Sequence, residues 1–401
     1  MSALTFPDAR ATVIRAVLAA RIPPVTETVL LEDSPGRILA EAILADRDYP
    51  PFDRAMRDGF AVRSVDVPGR LRIVGEVRAG ERFRSALQPG EAIEIMTGAP
   101  VPAGADAVIM VEHTTRDNDG SVATDRAAAA GSNIAPAACE AREGTAVLRA
   151  GDRIDHSSIA WLATTGHPFV SVFVRPRVAI LATGDEIVAV SHTPASHQIR
   201  NSNSYSLAAQ VRRAGGDPII LPVARDDKQA TAHLIAQGLE ADLLLLSGGV
   251  SAGKYDFVEA ALAGFGAEFF FDRILIQPGQ PLVFGRAQHK FFFGLPGNPA
   301  STMVTFELFG RAALELLAGA NAAPLPMTLA RLTRPFRHKT GLTRFLPAWL
   351  CTNEPACAEV TPVDWQGSGD IPSLCRANAF LVADANQADY AAGDLIPVLL
   401  K

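Results

Sequence analysis

From residue 176 onward the sequence alternates between apolar runs of strand length and amphipathic stretches of helix length. That alternation limits the fold more than any other feature. "RVAILATG" reads as a buried strand ending in a loop, "NSYSLAAQVRRAGG" as a helix closed by glycine, and "DPIILPVA" as the next strand. "DDKQATAHLIAQGLE" follows as a helix begun by Asp226 or Asp227, then "DLLLLSGG" as a third strand. "FFFDRILIQPG", "PLVFGR" and "KFFFGLPG" read as β segments. "NPASTMVTFELFGRAALELLAG" reads as one long helix with Asn298 at its N-cap and Pro299 in its first turn. Such alternation predicts a mainly parallel sheet covered by helices on both faces.

The flanking regions differ in kind. A helix is predicted in the opening segment, with Asp8 near its start and Pro23-Pro24 past its end. A region of short strands and turns follows, in which "RDNDGSVATDRAAAAGSN" reads as an exposed loop; "DHSSIAWLATTG" then reads as a short helix. After "NAAPLP" the helices stop, and "LARLTRPF", "TRFLPAWL", "AEVTPV", "AFLVADA" and "LIPVLL" predict a small all-β domain. At 401 residues the chain exceeds one ordinary core and is expected to divide into domains. Its formal net charge of -6 argues against a general nucleic-acid binder. No apolar stretch is long enough to span a membrane, and no signal-peptide pattern opens the chain, so a cytoplasmic location is expected. Cys139, Cys351, Cys357 and Cys375 form no CxxC pair, which disfavours a zinc site, an iron–sulfur site or a disulfide framework.

Ligands of an open parallel sheet sit beyond the carboxyl ends of its strands. Three glycine-bearing loops fall there: "ATGDEI", "SGGVSAGKYD" and "GLPGNP". Glycine permits close backbone approach, and unpaired N–H groups in such loops bind anions. The same loops and the end of the second strand carry Asp185, Glu186, Asp226 and Asp256. Acidic residues beside a phosphate site call for an intervening cation, and Mg2+ is the natural one. "GGVSAGK" has the Walker A spacing, but Tyr255 stands where Ser or Thr would hold the metal, and the loop follows a later strand. A phosphate loop of another fold is therefore expected, with Asp256 as the metal ligand.

These loops, together with "FDRAMRDGFAVR", "AGERFRSALQPGEAIEIMTGAPVPAGADAVIMVEHT", "QIRNSNSYSLAAQVRRAGGDP" and "QPGQPLVFGR", carry a resemblance. Almost end to end, the chain resembles the molybdopterin molybdenumtransferase (MoeA, gephyrin E-domain) family. The resemblance implies a multidomain α/β protein. Residues 1–25 with 145–175 would form a helical linker domain and 26–144 a β-rich second domain. Residues 176–324 would form a molybdopterin-binding, MoaB/MogA-like α/β domain, and 325–401 a C-terminal β-barrel domain. It also implies Mg2+-dependent release of AMP from adenylylated molybdopterin as molybdenum from molybdate is placed on the dithiolene. The family works as a homodimer whose site lies between the α/β domain of one subunit and the second domain of the other. Molybdopterin adenylyltransferase and molybdoenzyme apoproteins are the implied partners.

Carried over position by position, Glu186, Asp226 and Asp256 would be the catalytic and metal-binding carboxylates. Thr183, Gly184, Ser247, Gly248, Gly249 and Ser251 would cradle phosphate or pterin; Pro296, Gly297 and Pro299 would shape the third loop. Arg344 and Ser368 would complete an oxyanion pocket, while Asp58 and Thr97 would face the partner's site. Three stretches depart from the pattern. Ala138-Cys139-Glu140 replaces a usual Gly-Glu-Asp, Arg57 replaces a usual methionine, and Gln277 and Gln280 stand where lysines are common. Arg273 and Arg344 are the basic residues left to hold a dianion. Two other readings share the fold: the preceding adenylyl transfer to molybdopterin, disfavoured by the extra domains, and a molybdopterin- or peptide-binding scaffold without turnover.

Overall fold

The computed structural model describes residues 3–20, 22, 24–225, 227–249, 257–321, 323–352 and 358–401. Its alternating segment forms the strands β1 (Arg177–Ala182), β2 (Asp217–Ile220), β3 (Leu243–Ser247), β4 (Glu268–Phe271), β5 (Val283–Ala287) and β6 (Lys290–Leu295). Helices α1 (Asn203–Ala214), α2 (Lys228–Gly238) and α3 (Phe257–Gly264) connect them. The sheet order is β2-β1-β3-β6-β5-β4. The first four of these are parallel, whereas β6–β5 and β5–β4 are antiparallel. The local cause is the link between β5 and β6. Gln288 and His289, at φ 48° and 68°, make a two-residue turn of the hairpin kind, and so short a link cannot return the chain in parallel.

Every residue of β3 is buried because both faces of the sheet are covered. Val178, Ile180, Leu243, Leu245 and Phe293 pack with Leu207 and Val211 of α1, while Ala179, Leu181, Leu244 and Leu246 pack with Ile235, Val258 and Leu262. The run "LLLL" thus feeds two cores in alternation. α1 ends as predicted on Gly215, at φ 96°. Asp227 rather than Asp226 caps α2, accepting from the Ala230 amide at 2.7 Å.

The long helix after β6 is not continuous. α4 (Pro299–Thr305) passes into a π-helical segment, Phe306–Gly310, and then into α5 (Arg311–Leu317). Glu307 of the π segment is 3% exposed and paired with Arg213 and Arg311. The first helix, Phe6–Ala19, is capped by Thr5, with Asp8 in its opening turn. Its Phe6 ring meets Phe309 at 5.8 Å and Phe345 at 5.2 Å, edge to face.

The C-terminal strands β7 (Met327–Leu332), β8 (Thr343–Cys351), β9 (Glu359–Pro362), β10 (Ala379–Ala383) and β11 (Leu395–Leu400) close on themselves. Pairings β8–β9, β9–β7, β7–β11, β11–β10 and β10–β8 complete a five-stranded barrel. Its interior is filled by small and branched side chains such as Ala330, Ala348, Val360, Leu381 and Val398.

These elements, with residues 3–40, 150–155 and 169–176, form one contact unit; residues 41–149 and 156–168 form a second. The second unit is built on a six-stranded sheet that runs from Ala107–Met110 through Gly59–Val62, Glu91–Ile95, Gly69–Val77 and Ser121–Thr124 to Thr115–Arg116. The stretch expected as an exposed loop contributes Ser121–Thr124 and the Arg116 end of the last strand. Val122 is buried, and Asp117 to Gly120 make the turn, held by bonds to Ser121 and Arg70. Helix His156–Thr164 belongs to this unit, where Trp161 meets Tyr49 at 5.0 Å. Among the described residues no helix is long and apolar enough to cross a membrane.

Candidate active site

The carboxyl ends of β1, β3 and β6 bring their loops together. The Thr183 amide donates to the Ser247 carbonyl at 3.1 Å, and the Gly248 amide to the Leu295 carbonyl at 3.1 Å. Gly248 and Gly249, at φ 92° and 66°, turn the chain in a region that suits glycine. A Cβ on Gly248 would stand 3.0 Å from the Thr183 carbonyl, and one on Gly297 3.5 Å from the Gly248 Cα. The three loops therefore touch backbone to backbone. Glu186 folds back over Gly184, where a Cβ would lie 2.4 Å from its Oε2. Both Glu186 and Gly249 are exposed at the rim.

Asn203, at the start of α1, joins these loops from below. Its Nδ2 donates to the Gly297 carbonyl at 2.7 Å, to Ser247 Oγ at 2.8 Å and to Thr302 Oγ1 at 3.2 Å. The sequence reading missed this residue. The signal available was a run of polar residues, "NSNS", opening a helix right after a strand. Asn298 occupies the N-cap of α4 as predicted, but its side chain makes no cap bond. It donates instead to Ser368 Oγ at 2.8 Å, and the Ala300 amide donates to the Ser368 carbonyl at 2.9 Å. A residue between barrel strands is thus fastened to the third loop. Pro296 accepts from the Thr302 hydroxyl, and Pro299 begins α4.

The structure gathers Thr183, Gly184, Glu186, Ser247, Gly248, Gly249, Pro296, Gly297, Pro299 and Ser368 around one rim. Asp226, Ser251 and Asp256 lie outside the described residues. Arg225, next to Asp226, donates to the Asp185 carbonyl at 3.2 Å. Arg344 sits on β8 opposite Gln277, and its Nε is buried without a partner. Arg273 is exposed; among the described residues no hydrogen bond or ion pair joins its side chain to the three loops. Also among the described residues, no group of three or more His, Cys, Asp or Glu side chains is placed to hold a metal ion.

In the second unit, Asp58 accepts at one oxygen from the Thr97 amide at 2.6 Å and the Thr97 hydroxyl at 2.7 Å. These bonds, the hydroxyl's foremost, hold the Asp58 carboxyl below the usual carboxylate range. Ala138 takes φ 61°, the left-handed region, at the position where the family usually has glycine. Glu140 pairs with Arg54.

Residues 4–166 match the MoeA N-terminal region (domain I and II), residues 179–316 a probable molybdopterin binding domain, and residues 329–401 the MoeA C-terminal region (domain IV). The molybdopterin molybdenumtransferase of Bacillus subtilis (strain 168) is 36% identical over 387 residues, spanning 94% of this chain and 90% of that protein. The protein of the same name from Nostoc sp. is 38% identical over 305 residues, 73% of this chain and 70% of the relative. The crystal structure of a molybdopterin biosynthesis moeA protein from Pyrococcus horikoshii OT3 superposes with a TM-score of 0.81 at 28% identity, covering 100% of both chains. With identity of this order running through all three regions, the chain belongs to the molybdopterin molybdenumtransferase family.

Proposed function

We propose that the chain inserts molybdenum from molybdate into adenylylated molybdopterin, with Mg2+-dependent release of AMP, as a step of molybdenum cofactor biosynthesis. One observation carries the reading: three glycine loops of a parallel sheet and a barrel residue, Ser368, meet at one exposed rim. The Gly249, Gly297 and Asn298 amides, which meet no backbone acceptor among the described residues, suit phosphate oxygens. The oxygen donors around the rim, the Glu186 carboxylate and the Ser247 and Ser368 hydroxyls, suit a hard cation and an oxyanion rather than a soft metal. Asp226 and Asp256 would complete the carboxylate set with Glu186. Mg2+, when bound, offsets charge on the adenylate phosphate as its bond to the leaving group breaks.

The chain's own groups do the rest. Thr183, Gly184 and Glu186 orient the phosphate side, Ser247, Gly248, Gly249 and Ser251 cradle phosphate or pterin, and one of Glu186, Asp226 and Asp256 takes the proton of the attacking oxygen. Ser368, Arg344 and Arg273 hold molybdate, doing so with Gln277 and Gln280 in place of the usual lysines. The active form is a homodimer, in which Asp58 of the partner subunit and Thr97 of the partner subunit border the rim. The four-domain division, the cytoplasmic location, and exchange with molybdopterin adenylyltransferase and molybdoenzyme apoproteins belong to the same proposal.

The test is AMP release from adenylylated molybdopterin, with and without Mg2+ and molybdate. Glu186→Ala is expected to lose roughly 100-fold or more in rate while keeping its circular dichroism, the lower end for a positioned acid or base. An unchanged rate removes Glu186 from the site. Binding of substrate by the native protein without AMP release would mark a scaffold instead.

A further inference from the structure

The amide of Asn203 has only one orientation open to it. The Gly297 carbonyl, 2.7 Å away, can only accept, so the nitrogen faces it. Thr302 has already given its hydroxyl proton to the Pro296 carbonyl, so toward Asn203 it too can only accept. The nitrogen's second hydrogen then goes to Ser247 Oγ at 2.8 Å. Ser247 receives where a serine more often gives, and its own proton is left over. No acceptor among the described residues meets that proton, although Ser247 is only 3% exposed. Asn203 Oδ1 is likewise buried without a partner. Buried polar atoms left unsatisfied cost stability, so a joint that keeps two of them is maintained for another reason.

We propose that Asn203 is a positioning residue for the reaction. It fixes the spacing between the loop after β3 and the loop after β6, and it keeps the Ser247 hydroxyl proton free to be donated to an anionic oxygen of the phosphorylated pterin substrate. Two consequences follow from hydrogen-bond direction alone. With an acceptor in place of the Asn203 nitrogen, Ser247 turns its proton inward and loses it for the substrate. The Gly297 carbonyl is then left facing another acceptor, and the two loops separate.

This rests on the reading under Proposed function, and a double-mutant cycle tests it. AMP release by the full-length protein is measured for the native chain, Ser247→Ala, Asn203→Asp and the double variant. Ser247→Ala is expected to raise KM for adenylylated molybdopterin about tenfold with little change in kcat, and Asn203→Asp to lower kcat/KM further. In the Asn203→Asp background, Ser247→Ala should cost nothing more, because the proton is already withdrawn. As pH falls, the introduced carboxyl gains one proton and can again donate to Gly297. The part of the loss that comes from loop separation should then recover relative to the native protein, while the part that comes from the Ser247 proton should not. A role confined to folding would move the melting temperature and leave the two substitutions additive. Additive losses, or a native kcat/KM in Asn203→Asp, overturn the proposal. If the native protein itself releases no AMP, the functional reading falls. The same cycle is then read in the Kd for adenylylated molybdopterin, where additivity again overturns the role given to Asn203.

Discussion

At the scale of single residues, the rim is made of groups whose conformations leave little latitude. Sequence shows the glycines and acids of the three loops because loop chemistry is local: Gly184, Gly248 and Gly297 are visible as glycines before any contact is known. It does not show Asn203, whose importance comes from acceptors 44 and 94 residues away. Nor does it reveal that Asn298 spends its side chain on Ser368 rather than on its own helix. Ala138 illustrates the opposite case, in which a departure from the family pattern acquires a structural meaning. It holds a left-handed conformation that costs an alanine about 1 kcal/mol, with its amide donating to the Pro50 carbonyl at 2.9 Å. The pair Asp58–Thr97 gives a pH prediction. A carboxyl whose folded pKa is depressed adds stability above its unfolded pKa and loses it as pH falls through the folded value. Thr97→Val removes the hydroxyl, the first cause of the lowered pKa, and keeps the amide, so the Asp58 carboxyl should titrate closer to the usual carboxylate range. Carboxyl resonances followed by NMR across acid pH would read the shift; no movement would separate Thr97 from Asp58.

At the scale of elements, hydrophobic period decided well where both faces of a strand are covered and poorly where turn chemistry decides. "LLLL" could only be a strand buried on both sides, and β3 is that strand. The antiparallel edge was hidden because the turn at Gln288-His289 lacks the Asn-Gly or Asp-Gly signature of such hairpins. Residues 115–124 were hidden for a related reason: a polar edge hairpin, with only Val122 inward, has almost no apolar pattern to read. The π segment in the long helix was equally silent in sequence, since its residues are ordinary helix formers. Its Glu307 gathers Arg213 and Arg311, and Arg311 also reaches Glu315 at 2.9 Å. Removing one member of such a buried pair leaves its partners uncompensated. Glu307→Ala should therefore cost about 3 kcal/mol, the low end of that range because Arg213 is half exposed. Urea denaturation would measure it; a loss under 1 kcal/mol would mean the arginines find water instead.

At the scale of the whole molecule, the barrel and the α/β sheet were each legible from their own strand patterns. What joins them left no strand or helix pattern: the pairing of Ile276–Gln277 with Thr343–Arg344, the core shared through Phe345, and Ser368 of the unpatterned loop "QGSGD", which only the family resemblance pointed to. Ser368 accepts from Asn298 and from the Ala300 amide at the mouth of the long helix. Ser368→Ala deletes one of these bonds and keeps the other. The expected loss is about 1 kcal/mol of transition-state stabilisation, roughly fivefold in AMP release, with secondary structure unchanged. A full rate in the variant would reduce Ser368 to a bystander. Because Phe345, Phe380 and Leu399 of the barrel sit in the same apolar core as Phe284, Phe293 and Phe309, the two should melt in step. On heating, AMP release should vanish within the calorimetric transition that takes both apart, and inactivation well below it would show that the barrel lets go first.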